Sequence, residues 1–149
     1  MKFDQRTERN IATLHPRAQV KARTFMQAVV PIMAGRGVEV KIIGGTRSYA
    51  EQDTLYAQGR TTPGSRVTNA RGGYSNHNFG IAWDIGLFQQ GKYLGDSPLY
   101  RECGAIGRSL GLEWGGDWKS FPDEPHFQLK TGLTLAQMRI RVAAGASVV

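Results

Sequence analysis

The sequence predicts an α+β fold, a small antiparallel sheet flanked by helices. Segments of helical periodicity and of two-residue alternation follow one another as helix, strand, helix, hairpin, helix, strand. The longest strand candidate turns back through a tight loop, the connection that joins antiparallel neighbours. The 19 glycines, paired at Gly44-Gly45, Gly72-Gly73 and Gly115-Gly116, imply tight turns and long connections between the elements.

Pro16 suits the first turn of a helix running to Ala34, with Val20, Phe25, Ala28, Val29 and Ile32 as its apolar positions and Gly35 and Gly37 as its stop. Pro31 predicts a kink or an earlier end. Val38 to Ile43 reads as a short β-branched strand. Ser48 and Glu51 form a capping box that opens a second helix, ending at Gly59. Arg60 to Tyr74 has neither period and reads as a long loop, a kind of segment that is usually functional or disordered.

Ile81 to Phe88 alternates: Ile81, Trp83, Ile85 and Leu87 share one face and Ala82, Asp84 and Gly86 the other, so Asp84 points away from the bulky apolar side. Gln89 to Lys92 supplies a hairpin turn into Tyr93-Leu94. Ser97 as N-cap and Pro98 at the first helical position open a third helix, closed by Gly111. Leu112 to Trp118 is an aromatic stretch bridged by two glycines, His126 to Leu129 a last strand, and Thr134 to Ala144 a terminal helix with Leu135, Met138 and Val142 on one side.

With 149 residues the chain has room for one core and one domain. A balance of 19 Lys and Arg against 12 Asp and Glu gives a net charge of +7, which favours anionic partners at long range. The basic residues are scattered and form no aromatic-interleaved stripe, which argues against nucleic acid. Cys103 is alone, excluding an intrachain disulfide or a cysteine metal cluster, and its apolar helical surroundings predict a buried, inert thiol. The first residues lack the apolar centre of a secretory leader, and no run approaches the ~18 apolar residues of a membrane span, so synthesis in the cytoplasm without a Sec signal is expected.

Two segments about forty residues apart hold the chemistry, Ser75 to Asp84 and Asp123 to Phe127. A mononuclear zinc hydrolase needs three nitrogen or carboxylate ligands, an open position for water and a base that is not a ligand. His77, Asp84 and His126 can supply the ligands for one zinc ion. A carboxylate between Trp83 and Ile85 is costly to bury unless paired or metal-bound, which strengthens Asp84. Asp123 and Glu124 compete as base, Glu124 being the one that faces solvent more naturally before Pro125. Arg47, between strand and capped helix, is placed to stabilise an oxyanion. His15, before Pro16 and without a carboxylate at useful spacing, reads as structural.

Ser75, His77, Gly80, Ala82 and Asp84, followed by Asp123 and His126, resemble the zinc peptidases of the D-alanyl-D-alanine carboxypeptidase and hedgehog-like fold. Within these the chain is most similar to phage endolysins that are L-alanyl-D-glutamate endopeptidases. Leu14 to Pro16, Gly45 to Ser48, Gln52, Leu55 to Thr61 and Trp114 to Trp118 extend the likeness over roughly residues 8–130. The resemblance implies His77, Asp84 and His126 as zinc ligands, Asp123 as base, Arg47 on the scissile carbonyl, and Ser75 and Gln52 holding substrate. It implies a single peptidase domain over 1–149, with a helix over 133–144 and no separate wall-binding domain. A monomeric endopeptidase acting on bacterial peptidoglycan, reaching the wall through a holin after synthesis in the host cytoplasm, is the expectation. A D,D- or L,D-carboxypeptidase, with Arg60, Arg66 or Arg71 clamping a terminal carboxylate, is the nearest alternative, and a non-catalytic zinc-containing binding module is the alternative of another class.

Overall fold

The computed structural model describes residues 2–149. Its elements are α1 (Gln5–Ala12), α2 (Pro16–Ala34), β1 (Glu39–Gly44), α3 (Tyr49–Ala57), β2 (Ala82–Gln89), β3 (Lys92–Leu94), α4 (Leu99–Ser109), β4 (Glu113–Trp114), β5 (His126–Gln128) and α5 (Leu135–Ala143). The strands lie in the order β1-β2-β5-β4, with β3 paired to β2, and every pairing is antiparallel. The expected α+β class therefore holds. Gln89 pairs with Lys92 across a two-residue turn, Gln90 and Gly91, both at positive φ as a type I′ turn requires.

The core lies between the sheet and α2 and α4. Trp83, Ile85 and Leu87 of β2 are fully buried, as alternation predicts, and Phe25 of α2 stacks on Phe127 of β5 with ring centroids 4.4 Å apart. On α2 the buried stripe is Ala18, Ala22, Phe25, Met26, Val29 and Met33. This bears out Phe25 and Val29 of the expected face and corrects Val20 and Ile32, which are 65% and 47% exposed because they lie off the i, i+3/i+4 row that runs through Ala18, Ala22, Phe25, Val29 and Met33. Nor does Pro31 stop the helix, which runs on to Ala34. The hydrogen bond Pro31 forfeits falls in the last turn, where little helix is left to disrupt.

No helix is expected before Pro16, yet α1 is present. Asp4 caps it by accepting the Thr7 N–H at 3.2 Å, and it docks on β1, the edge strand. Thr7 Oγ1 accepts the Ile42 N–H at 3.0 Å and Asn10 Nδ2 donates to the Ile42 carbonyl at 2.9 Å, so the helix satisfies backbone groups that an edge leaves open. His15 is structural as expected: its Nδ1 accepts the Arg17 N–H at 3.2 Å and caps α2. Ser97 Oγ accepts the Leu99 N–H at 3.2 Å at the start of α4. Cys103 is buried, and burial pushes its thiol up to about 12. On α5 only Met138 is buried; Val142 is exposed, correcting the predicted apolar side. No helix among the described residues is long and apolar enough to cross a membrane.

Candidate functional site

The site begins at a β-bulge. Ile42 pairs with Ile85 and Gly44 with Asp84, leaving Ile43 as the extra residue. The bulge turns the chain so that Gly45 presents its carbonyl to His77, whose Nδ1 lies 2.9 Å away. A Cβ on Gly45 would lie 2.7 Å from the Asn10 carbonyl of α1, so only glycine fits this approach. His77 itself sits in a 3₁₀ turn over Asn76–Asn78. Ser75 caps the turn by accepting the His77 N–H at 3.2 Å, and Asn78 reciprocates by accepting the Ser75 N–H at 3.1 Å.

Asp84 on β2 pairs with His126 on β5, which brings the two sequence segments together. His77 Nε2 lies 3.1 Å from Asp84 Oδ2, and His126 Nδ1 lies 3.2 Å from Asp84 Oδ1. The other nitrogen of each ring faces an acceptor: the Gly45 carbonyl for His77, and Gln128 Oε1 at 2.6 Å for His126. Those nitrogens carry the protons, and the two facing Asp84 are lone pairs. Three electron-rich atoms, one from each residue and all within 4.8 Å of one another, thus converge on a common point. Asp84 Oδ1 is buried and accepts no hydrogen bond. Lone pairs so arranged repel unless a cation lies among them, and two imidazoles with one carboxylate suit zinc.

The ligand atoms form the floor of a cleft of about 450 Å³, whose lining includes Arg47, Ser75, Trp118 and Asp123. Asp123 Oδ2 is 3.9 Å from His126 Nδ1, and the side chain is 49% exposed. Partial burial and the neighbouring Asp84 charge raise its pKa. Gly115 makes this position possible: its carbonyl accepts the Asp123 N–H at 2.9 Å, and a Cβ on it would lie 3.0 Å from that of His126. Glu124 turns away and pairs with Arg101 at 3.2 Å.

Arg47 is fixed at three points. Its N–H donates to the His77 carbonyl at 2.9 Å, its carbonyl accepts Asn78 Nδ2 at 3.0 Å, and its Nε donates to Gln52 Oε1 at 2.9 Å. Gln52 is fully buried, and its amide nitrogen donates to the Ala70 carbonyl at 2.8 Å. It stands behind Arg47 and is not among the residues that line the cleft. Ser75 lines the cleft, and its hydroxyl orients His77.

Gln128, Asn78 and the Gly45 carbonyl are site components absent from the sequence reading. Gln128 was accessible to it, since residues two apart on a strand share a face and His126 lies two before it. Asn78 closes a capping box with Ser75, another readable pattern. Of the loop arginines, Arg60 donates to the Tyr56 and Thr68 carbonyls and stacks on the Tyr56 ring, and Arg66 does not line the cleft.

A family model described as D-alanyl-D-alanine carboxypeptidase matches residues 68–129, a span containing His77, Asp84, Asp123 and His126. The peptidoglycan L-alanyl-D-glutamate endopeptidase CwlK of Bacillus subtilis (strain 168) is 42% identical over 126 residues, covering 78% of this chain and 73% of CwlK. The chain belongs to the D-alanyl-D-alanine carboxypeptidase family. Two solved structures carry the family's fold. The L-Ala D-Glu endopeptidase ChiX of Serratia marcescens aligns over 89% of this chain and 92% of its own, with a TM-score of 0.58 and 24% identity. A variant of the vancomycin-resistance D,D-pentapeptidase VanY, in complex with Zn(II), aligns over 91% and 81%, with a TM-score of 0.52 and 15% identity.

Proposed function

We propose that this chain is a zinc-dependent peptidoglycan endopeptidase that hydrolyses the L-alanyl-D-glutamate amide of the stem peptide. The observation that carries the reading is the convergence of His77 Nε2, an Asp84 oxygen and His126 Nδ1 beneath an uncommitted Asp123, in a chain 42% identical to CwlK. The chemistry that zinc supplies there when bound is Lewis acidity, which lowers the pKa of a water from ~15.7 toward ~7.

The chain's own residues do the rest. The Asp123 carboxylate takes a proton from the attacking water and returns it to the amide nitrogen as the carbon–nitrogen bond breaks, leaving a carboxylate and an amine. Its raised pKa makes it a stronger base than an ordinary surface aspartate. The Arg47 guanidinium, held by Gln52, donates to the carbonyl oxygen as negative charge builds there. The tautomers enforced by Gly45 and Gln128 keep the two imidazole lone pairs on the metal side.

The net charge of +7 suits an acidic wall polymer. The finer role we propose is lysis from within by a monomeric phage-type endolysin released through a holin. Expressing the chain with and without a holin, and its elution volume on size exclusion, test that role. The reaction is tested by mass spectrometry of purified peptidoglycan digested with the zinc-loaded protein, a chelated control and zinc add-back. Zinc-dependent appearance of N-terminal D-glutamate is expected. Loss of terminal D-alanine alone would assign a carboxypeptidase instead, and no cleavage despite stoichiometric zinc would leave a binding module.

A further inference from the structure

Tyr74 stands on the rim of the catalytic cleft and also lines a second cavity beside it, of about 240 Å³, with Tyr56, Asn69 and Arg71. Each of these four side chains carries a hydrogen-bond donor, and none is a carboxylate. Asn69 turns its oxygen toward Arg60 Nη2, at 3.5 Å, so its amide hydrogens remain to be used. Two guanidinium groups lie against the Tyr74 ring, Arg139 at 3.9 Å and Arg71 at 4.5 Å from the centroid.

These cations are committed to different degrees. Arg60 donates to two backbone carbonyls, and Arg139, arriving from α5, donates to the Gly73 carbonyl at 3.1 Å. Arg71 has no ion-pair partner among the described residues. Asp53, the carboxylate that bears on it, accepts the Gly72 N–H at 2.7 Å. A guanidinium fork leaning on a tyrosine at the edge of a donor-lined cavity is a receptor for a planar anion.

We propose that this cavity binds the free carboxylate of the glutamate that follows the scissile bond, with Arg71 gripping it and Arg139 acting as a positioning residue behind the Tyr74 ring. The inference rests on the endopeptidase reading above, because that reaction places a glutamate on the amine side of the cut. Its carboxylate outside the peptide linkage then lies a few bonds from the reacting carbonyl. One aromatic ring, Tyr74, is shared by the two cavities.

The test uses two soluble stem peptides that differ only at this glutamate, one with the carboxylate free and one with it converted to a primary amide. Their kcat/KM values are compared on zinc-loaded wild type, Arg71→Gln, Arg71→Lys and Arg139→Gln. Wild type is expected to prefer the free carboxylate by ~10-fold or more, the scale of a charge-assisted hydrogen bond. Arg71→Gln loses most of that preference, through KM more than kcat. Arg71→Lys recovers part of it, keeping the charge without the fork. Arg139→Gln narrows it partway.

A merely structural Arg71 would lower both rates alike and leave their ratio intact, which would overturn the proposal, as would a wild type with no preference. A zinc-loaded wild type that cuts neither peptide would overturn the endopeptidase reading itself, and the carboxylate site with it.

Discussion

Replacing Asp123 with Asn removes the base and almost nothing else. The carboxylate is half exposed, accepts no hydrogen bond from any other described residue, and lies 3.9 Å from His126 Nδ1 without joining the ligand set. The near-isosteric amide therefore changes stability by no more than ~0.5 kcal/mol, the usual range for a surface substitution. Zinc content stays at the wild-type level. Hydrolysis falls by about 10²–10⁴-fold, the contribution of a positioned general base, equivalent to about 3–5 kcal/mol of barrier. The assay is the initial rate of appearance of N-terminal D-glutamate from purified peptidoglycan at fixed zinc loading, with Glu124→Gln alongside. Glu124 is turned to Arg101, so its variant retains the rate within about twofold. Asp123→Asn at the wild-type rate, or Glu124→Gln reduced as far as Asp123→Asn is expected to be, would refute the assignment.

Gln128→Leu frees the His126 ring from the acceptor that orients it, and zinc affinity drops about 10–100-fold in competition with a chelator. Gly107→Ala drives a methyl to 2.7 Å from the Phe127 ring. The crowding outweighs the gain in helix propensity, for a net loss of about 1–2 kcal/mol in denaturant unfolding. Glu8 holds Arg23 through both oxygens and accepts the Phe3 N–H, and Arg23 lowers its pKa from 4.5 to about 2. A depressed folded-state pKa contributes stability above pH 4.5 that is lost as pH falls through about 2. Glu8→Gln accordingly costs up to about 1 kcal/mol at neutral pH, this being a partly exposed pair, and the gap in thermal midpoint from wild type closes over that acid window.

The ligands were legible because zinc chemistry needs few residue types, and β2 alternation already pointed Asp84 away from the bulky core face. The pairing of Asp84 with His126 was not, because strand neighbours separated by 41 intervening residues leave no local trace. The burial of Gln52 was illegible for a related reason. A polar residue near a helix start looks solvent-facing, and only the path of the 60–74 loop over α3 buries it. α1 escaped because Ile11 is its only strongly apolar member, and the helix is held by hydrogen bonds to β1 more than by an apolar face. On α2 Phe25 and Val29 were legible as core, whereas Val20 and Ile32 are apolar but lie off the row of Ala18, Ala22, Phe25, Met26, Val29 and Met33 that faces it.

The oxygen that steadies His77 belongs to the main chain of Gly45, so no side-chain replacement can delete it. An alanine scan across the cleft would record Gly45 as a spot that tolerates no bulk, because of the Asn10 carbonyl, and would pass over its part in holding the ring. Point substitution in nature meets the same blind spot. It can exchange Gln128 in one step, but it can alter the anchor of the first histidine only by moving a whole strand.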